Sequence, residues 1–397
     1  MKPFRLVLVA LGCLLLAAVP ASAQQTIKIG IILTYSGPNA SLGEYVDKGL
    51  ALYAKLHEKE LPAGTKIEII RRDDTGPNPE VARRLAQELI TRDRVNFLGG
   101  VIFTPNGNAI APLTAEGKVP FVIMNAAGTN TTVSSPYVTR TSFTLWQSSY
   151  PLGQWAAKQP NMKRGYTAVS DYAPGHDGEQ GFTKGFTEGG GQIVGSVRMP
   201  LQNPDFIPFM QRVKDAKPEV LYVFIPAGRQ ATAVMKAYQD LGLKDAGIKL
   251  VGPGDITTDE ELPNMGDVPL GVITAHHYAA ALKNPQNQAF VADWKKEYGA
   301  NSTPNFMGAA GWDGMAAIFH AIKAQNGKVT PDGTMAALKG WKFDSPRGPI
   351  MPDPDTRDII QNEYIREVKR VNGQLQNVEF ETIPMVKDPF KVLNPPK

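Results

Sequence analysis

Short apolar runs alternate along this chain with longer stretches in which apolar residues recur at helical spacing. Residues 27–33 and 66–71 have the composition of β-strands, and the apolar positions within 79–92 fall on one face of a helix. This alternation is typical of α/β folds with parallel sheets. The first series comprises predicted strands at 27–33, 66–71, 96–101 and 119–124, and predicted helices at 43–56 and 79–92.

The same rhythm occurs a second time further along the chain. Its strands are predicted at 165–170, 192–199, 220–225 and 249–252, and its helices at 177–189, 205–216 and 230–241. Polar loops occupy matching places, at 73–77 in the first series and at 202–205 in the second. We therefore predict two similar sheets covered by helices, one in each of two lobes.

The last third of the chain is less regular. A strand is predicted at 272–278, helices at 286–298 and 309–324, a tight polar turn at 344–349, and a hairpin formed by 363–371 and 376–380. The tail at 386–397 is rich in Pro and Lys, and we expect it to be ordered only by docking on a lobe.

The first 23 residues have the pattern of an export signal. Lys2 and Arg5 precede an apolar run at 6–19, and the small residues Ala21-Ser22-Ala23 then form a cleavage site. The run is short for a membrane span, and an uncleaved anchor helix is the alternative. We predict cleavage after Ala23 and a periplasmic location.

Cleavage would remove Cys13, the single cysteine of the chain. A mature chain without cysteine forms no disulfide, zinc-thiolate site or cysteine nucleophile. The formal net charge of +4 is small for 397 residues, and the basic residues are dispersed. We therefore expect neither nucleic acid nor an anionic membrane surface as a partner.

The loops that follow the predicted strands are the first place to look for a site, because ligands of open parallel sheets bind beyond the carboxyl ends of the strands. These loops lie at 34–43, 102–108, 125–132, 171–178, 226–229 and 253–258. Several combine small polar residues with an aromatic residue nearby. At helix N-termini they would donate N–H and O–H groups to a carboxylate, although ordinary turn chemistry requires the same residues.

The sequence lacks the motifs of nucleotide-binding loops, zinc proteases and serine hydrolases. Of its five histidines, His276 and His277 are adjacent on a predicted strand, so we expect them to point to opposite faces. That is a poor arrangement for a shared metal. The pairs Asp73-Asp74 and Glu260-Glu261 are interpreted as loop and cap residues. We predict a protein that is not an enzyme and that needs no cofactor or metal.

The order and spacing of several segments resemble the periplasmic leucine/isoleucine/valine-binding proteins, the type I solute-binding proteins of ABC transporters. The resemblance covers nearly the whole mature chain. It is carried by IKIGIILTYSGPNASLG at 27–43, by SDYAPGHDGEQGFTKG at 170–185, and by 73–92 with 95–99, 119–129, 205–242, and 271–278 with 284–298. Residues 344–358 and 364–368 are similar to a subgroup that includes binders of aromatic acids and amides.

This resemblance implies an α/β fold of two Rossmann-like lobes with parallel sheets, joined by three chain crossings and closing on a ligand by a hinge. The N-terminal lobe is then expected at 24–142 and 275–347, and the C-terminal lobe at 143–274 and 348–385. The implied ligand is a small-molecule carboxylate, and the implied partner is an ABC permease of the inner membrane. We expect the protein to be a monomer.

The resemblance also implies which residues hold the ligand. Its carboxylate would lie on the first lobe, at Phe103-Thr104 and Ala127–Thr129. Phe103 stands where the family often has serine. Leu42 would pack on the ligand, while Tyr172 and the loop 225–228 would cover it from the second lobe. The candidate ligand-binding residues are Tyr35, Leu42, Phe103, Thr104, Asn125, Ala127, Thr129, Tyr172, Ala227, Gly228, Asp255, His277 and Tyr278.

One position departs from the family pattern. The acidic residue that receives the ammonium of an amino acid aligns with Gly254, and Asp255 is next to it. Either a one-residue shift restores the acid or the site lacks it, and an unpaired buried ammonium is costly. We therefore favour an aromatic or hydroxycinnamic acid over a branched-chain or other amino acid. Aromatic surroundings would come from Tyr35, Phe103, Trp146, Tyr172, His277 and Tyr278, for which core packing is the alternative.

Other interpretations of the sequence stay open. Arg140 either pairs with a carboxylate or ties the first crossing strand. The protein could be a sensory module that passes its closed state to a receptor, or a binder of amide or urea-type ligands. An exported hydrolase would need a serine or an acidic pair that the sequence does not show.

Overall fold

The computed structural model describes residues 25–395, so the predicted export signal at 1–23 lies outside the described residues. Within 25–395, no helix combines the length and the apolar character that a membrane crossing requires. The strands are β1 Gln25–Leu33, β2 Thr65–Asp73, β3 Phe97–Gly100, β4 Phe121–Ile123, β5 Val138–Arg140, β6 Arg164–Ser170, β7 Gln192–Met199, β8 Val220–Phe224, β9 Lys249–Pro253, β10 Ile273–His276, β11 Phe343–Ser345, β12 Gly348–Pro352, β13 Ile359–Val371 and β14 Gln374–Val386. The α-helices are α1 Ala40–His57, α2 Pro79–Thr91, α3 Thr104–Gly117, α4 Leu145–Lys158, α5 Ala173–Glu188, α6 Ile207–Ala216, α7 Arg229–Asp240, α8 Pro285–Tyr298, α9 Phe306–Ala324, α10 Pro331–Leu338 and α11 Pro389–Leu393.

The strands form two sheets. The smaller sheet has the order β2-β1-β3-β4-β5, and all of its strands are parallel. The larger sheet has the order β11-β12-β13-β10-β9-β8-β6-β7, with β14 paired to β13. Its strands β6 to β10 are parallel, whereas β11 to β14 are antiparallel. The predicted α/β class with two parallel-sheet lobes is confirmed.

Helices cover both faces of the smaller sheet, which explains why β1 carries no polar side chain from Ile29 to Leu33. Ile31 belongs to the same buried cluster as Leu50 of α1 and Met315 of α9. The next residue, Ile32, points to the other face and belongs to the cluster of Leu85 on α2. Parallel strands buried on both faces read as continuous apolar runs, as this one does.

The chain crosses between the two sheets after β5, after β10 and before β11. Helices α8, α9 and α10 lie between the second and third crossings. Helix α9 packs on α1 and on β3 and β4 of the smaller sheet, while α8 packs on α1 and α10 packs on α9. The end of β10 at 275–276 and strand β11 fall in ranges expected for the N-terminal lobe, yet both pair within the larger sheet. The division of the chain into two moving lobes itself stays a prediction.

The tail docks near the first crossing. Lys391 of α11 is buried, contacts Asp358 and donates a hydrogen bond to Thr132 Oγ1 at 2.7 Å. Asp358 also lies 3.1 Å from Arg140 Nη1. The tail thereby joins the loop between β12 and β13 to the edge of the smaller sheet.

The helices occupy more of the chain than the sequence pattern predicted. Helix α3 begins at Thr104 and α5 at Ala173, inside segments expected to be loops at 102–108 and 171–178. Helices α3 and α4 had no predicted counterpart. Each contains a proline, and α3 is buried on several sides, so neither presents a clear amphipathic pattern. Tertiary packing stabilises them against weak intrinsic propensity.

Candidate ligand-binding site

Loops at the carboxyl ends of the two sets of parallel strands meet across the molecule. The N–H and Oγ1 of Thr129, which follows β4, donate to Asp177 Oδ2 of α5 at 3.0 and 2.8 Å. A Cβ at Gly228, before α7, would lie 3.6 Å from both Leu42 Cδ2 and Ser41 Oγ of α1. The structure therefore brings Leu42 together with Gly228, and Thr129 with a residue that the sequence did not suggest.

Asp177 forms the polar contact between these loops. Burial raises the pKa of its carboxyl, and the two bonds from Thr129 and the nearby charge of Arg140 offset only part of this effect. The contact uses the two Thr129 donors that were expected to serve a ligand. In the conformation described here, Thr129 thus joins the two lobes.

The loops around the start of α3 are braced by side chains. Thr104 Oγ1 accepts a hydrogen bond from Gly128 N at 3.0 Å, and Asn125 Nδ2 donates to the carbonyl of Ile102 at 2.9 Å. Phe103 precedes the helix without a side-chain cap. Pro105 has no N–H, and the N–H groups of Asn106 and Gly107 already donate to the carbonyl of Phe103 at 3.1 and 3.2 Å. Ala127 is buried in the same cluster as Phe103. Of the first three residues of α3, only Thr104 therefore has a backbone N–H that is not used within the helix.

The second lobe contributes an aromatic wall. The ring of Tyr172, at the start of α5, stacks on Phe224 at the end of β8 with a centroid distance of 6.0 Å. Burial raises the pKa of the Tyr172 hydroxyl, and the charge of Asp255 adds to the effect. Ala227 is buried in the same cluster as Phe224, and Gly228 has a φ of +87° that glycine tolerates best.

Two of the aromatic residues proposed from the sequence have partners elsewhere. The hydroxyl of Tyr35 donates to Asp47 Oδ1 at 3.0 Å, and its backbone N–H donates to Asp73 Oδ1 at 2.9 Å. Trp146 packs on Phe390 of α11 at a centroid distance of 5.4 Å. These contacts favour the packing interpretation for both residues.

Gly254 has no room for a side chain. A Cβ at this position would overlap the guanidinium of Arg366 and the ring of His276. Arg366 is fully buried, and its Nη2 donates to Thr274 Oγ1 at 3.0 Å while Nη1 donates to the carbonyl of Tyr278. The space that an acidic side chain at position 254 would need is therefore filled by Arg366 and His276.

Asp255 is the acidic residue next to Gly254 in the chain. It is 5% exposed, and its Oδ2 has no hydrogen-bond partner among residues 25–395. Burial raises the pKa of Asp255 to about 7, although the charge of Arg366 opposes this shift. A buried carboxylate oxygen without a partner is unfavourable. Asp255 Oδ2 is therefore an acceptor that a ligand donor would satisfy.

The prediction that His276 and His277 point to opposite faces is wrong. Strand β10 ends at His276, so the alternation of a strand does not extend to His277. The two ring centroids are 4.3 Å apart, and both rings lie against Phe143, at 5.1 and 4.9 Å. Phe306 covers them from α9, at 4.5 and 5.9 Å.

Burial lowers the pKa of each imidazole well below its ordinary range, which favours the neutral form of both histidines. Neither ring nitrogen of either residue has a hydrogen-bond partner in the described part of the chain, and the same holds for the hydroxyl of Tyr278. A neutral imidazole offers one donor and one acceptor. His277 and Tyr278, both proposed from the sequence, thus join a group of polar atoms that includes His276.

Arg140 braces the first crossing. Its Nη2 donates to the carbonyl of Gly128 at 2.5 Å, and its Nη1 lies 3.1 Å from Asp358 Oδ1. These contacts support the interpretation of Arg140 as a tie rather than as a ligand partner.

Sequence reasoning missed Asp177, Phe143, Phe306 and Arg366 as residues of the site. Phe306 begins α9 directly after Asn305, whose Oδ1 accepts the N–H of Gly308 at 3.0 Å. The capping residue Asn305 could have indicated the start of this helix from the sequence. That the helix starts beside the two histidines could not be predicted from it. Arg366 lies within a strand that was predicted correctly, but only its pairing with β10 brings it beside Gly254.

The architecture agrees with comparison to known proteins. A family profile described as "Periplasmic binding protein" matches residues 26–374. The chain belongs to the periplasmic binding protein family. The resemblance seen in the sequence is therefore confirmed. Members of this family are exported and bind solutes rather than catalyse reactions.

Individual relatives cover nearly the whole of this periplasmic binding protein. A "Leu/Ile/Val-binding protein homolog 6" of Brucella melitensis is 40% identical over 97% of this chain and 98% of its own length. A solute-binding protein of an ABC transporter from Rhodopseudomonas palustris BisB5, solved with 3,4-dihydroxybenzoic acid, is 49% identical with a TM-score of 0.89. A counterpart from Rhodopseudomonas palustris HaA2, solved with p-hydroxybenzoic acid, is 43% identical with a TM-score of 0.88. Each match covers 92% of this chain and 99% of the solved one.

Proposed function

We propose that this periplasmic binding protein captures a small aromatic carboxylate between its lobes and delivers it to an ABC permease of the inner membrane. The predicted signal at 1–23 would direct it to the periplasm, where it would act as a monomer. Ligand capture would proceed by closure of the lobe built on the smaller sheet onto the lobe built on the larger sheet.

The observation that carries this proposal is the environment of Gly254. An amino-acid ligand brings an ammonium that must be paired when it is buried. Position 254 cannot supply an acid, because Arg366 and His276 occupy the space of any side chain. The guanidinium of Arg366 also repels a cation at this place. An aromatic acid has no ammonium and avoids this penalty.

The surroundings of the cleft also suit an aromatic ring. Phe143 and Phe306 line the crossings, with a centroid distance of 5.8 Å and nearly perpendicular rings. Tyr172 and Phe224 line the second lobe. Edge-to-face and stacked partners of this kind stabilise an additional ring. The two similar solved proteins contain dihydroxybenzoic and hydroxybenzoic acid, which supports an aromatic acid as the proposed ligand.

We expect 4-hydroxybenzoate or a hydroxycinnamic acid to raise the melting temperature of the purified protein, whereas leucine and phenylalanine should not. A ligand at a hundred times its Kd stabilises the folded state by about 2.7 kcal/mol. Differential scanning fluorimetry with these compounds, followed by calorimetry, measures the effect. Stabilisation by leucine or phenylalanine without any response to aromatic acids would contradict the proposal.

Removal of the Asp177 carboxylate should weaken binding of 4-hydroxybenzoate about tenfold. A hydrogen bond to a charged group contributes about 1.5–3 kcal/mol. Solvent screening reduces this contribution, because the contact is partly exposed. The change Asp177→Ala removes both bonds from Thr129 across the cleft. The melting temperature of the ligand-free protein should change little, since neither residue lies in a lobe core. Isothermal titration calorimetry gives the Kd.

The matched control is Asp171→Ala, which removes an exposed carboxylate from the same loop region. It should leave the Kd unchanged. Tighter binding by Asp177→Ala would contradict the prediction, because it would mean that Asp177 competes with the ligand carboxylate for the donors of Thr129.

A further inference from the structure

Buried polar atoms without partners are concentrated where β9 and β10 end. Besides Thr258 Oγ1 and Glu260 Oε2 in the loop after β9, they are Asp255 Oδ2, both ring nitrogens of His276 and of His277, and the hydroxyl of Tyr278. Asp255 is 5% exposed, and the three residues at 276–278 are at most 1% exposed. Unpaired polar groups of this kind are rare in native interiors and need an explanation.

Asp255 and residues 276–278 lie at the adjacent ends of the paired parallel strands β9 and β10. Asp255 directly follows Gly254, where a Cβ would overlap the ring of His276. His276 and His277 lie ring against ring at 4.3 Å, and Tyr278 follows directly. Phe143 and Phe306 enclose the histidines on their apolar sides. We call Asp255, His276, His277 and Tyr278 the polar wall.

The chemistry of the polar wall restricts the group that can face it. A ligand carboxylate is disfavoured beside Asp255, because two like charges would be buried together. Arg366 lies against Gly254 and forms no ion pair with a carboxylate within 4.0 Å in the described part of the chain. Its positive charge therefore disfavours a ligand ammonium. A hydroxyl fits both demands, because it is neutral, donates to Asp255 and accepts from a neutral imidazole or from tyrosine.

We propose that the polar wall recognises ring hydroxyl groups of the ligand, and that a hydrogen bond from a ligand O–H to Asp255 Oδ2 makes this protein select hydroxylated aromatic acids over unsubstituted ones. This inference rests on the proposed function, because it assigns the second polar contact of an aromatic acid whose carboxylate lies elsewhere in the cleft. Asp255 and the two histidines are then specificity-determining residues rather than ammonium acceptors.

The test is a calorimetric series at one fixed pH with benzoate, 3-hydroxybenzoate, 4-hydroxybenzoate and 3,4-dihydroxybenzoate. The wild-type protein should bind its best hydroxylated ligand about 10–100-fold more tightly than benzoate, because benzoate leaves the polar wall unpaired. The change Asp255→Ala should reduce this ratio to about threefold or less. It should do so by weakening the hydroxylated ligands while benzoate binds equally well or more tightly.

The isosteric change Asp255→Asn serves as a second variant in case alanine impairs folding, and it should lower the ratio in the same direction. Asp171→Asn, which neutralises an exposed acid in the loop before α5, should leave the ratio unchanged. Equal losses for benzoate and the hydroxybenzoates on Asp255→Ala would overturn the inference, as would equal wild-type affinity for both. In those cases aromatic acids still bind and the proposed function stands. Absence of binding by every aromatic acid would overturn both.

Discussion

Replacing Arg347 with methionine should lower the free energy of unfolding by about 3–5 kcal/mol, the typical cost of breaking a buried ion pair by removing one partner. Arg347 is fully buried, and its Nε lies 2.8 Å from Asp313 Oδ2 of α9. Its Nη1 donates to the carbonyl of Ser142 at 2.7 Å and to Gln361 Oε1 at 2.6 Å. One side chain therefore joins the first and third crossings to α9 and β13.

The loss follows from what methionine would leave behind. Burial already raises the pKa of Asp313 to about 6 even though the charge of Arg347 opposes it. Without Arg347 the carboxyl would be unpaired, and the carbonyl of Ser142 would lose its donor. Equilibrium unfolding in urea measures the change, read from the midpoint and the slope.

Two further variants separate charge from geometry. Arg347→Lys keeps the positive charge but loses the planar fork, so it should fall between wild type and Arg347→Met. The double variant Arg347→Met with Asp313→Asn should recover part of the loss, because the isolated carboxylate is gone. A loss below about 1 kcal/mol for Arg347→Met would place Arg347 among ion pairs that contribute little.

Replacing Gly49 with alanine should lower the free energy of unfolding by about 1–3 kcal/mol, the usual range for overpacking a core. Helices α1 and α9 approach so closely that a Cβ on Gly49 would overlap the carbonyl oxygen of Gly308. A Cβ on Gly311 of α9 would likewise overlap the carbonyl oxygen of Val46. Backbone atoms cannot rotate away as a side chain can, so the helices must separate.

The matched control is Gly181→Ala inside α5. There the nearest atoms to a new Cβ belong to Ser149 and Trp146 at 3.4 Å, which is ordinary contact. Alanine also favours a helix interior over glycine by about 1 kcal/mol, so this variant should be as stable as the wild type or slightly more stable. Urea unfolding of both variants checks the pair, and equal stabilities would show that the α1–α9 contact relaxes at no cost.

Local patterns in the sequence were sufficient to predict the fold class. Strand β1 buries a run of apolar side chains, whereas helix α2 buries one regular set, and both patterns depend only on neighbours along the chain. The repeated order of strands and helices then predicted two parallel sheets. The sequence also indicated that Gly254 departs from the family pattern. Recognising this required only the order of residues along the chain.

Helices α3 and α4 could not be predicted in this way. Pro112 and Pro151 lie within them, and each helix is held by burial against several partners rather than by one apolar stripe. Where a helix is covered on more than one side, its sequence loses the amphipathic contrast on which prediction depends.

The candidate site likewise has residues that the sequence predicted and contacts that only the tertiary structure shows. The chain order alone indicated the loops at Phe103-Thr104 and Ala127–Thr129 and the unusual pair Gly254-Asp255. Tertiary structure alone decided that Thr129 meets Asp177, that Arg366 lies against Gly254, and that His276 and His277 lie side by side. These contacts join residues that are remote in sequence or lie where a strand ends. Their geometry depends on sheet register and on the approach of the two lobes, which no local periodicity encodes.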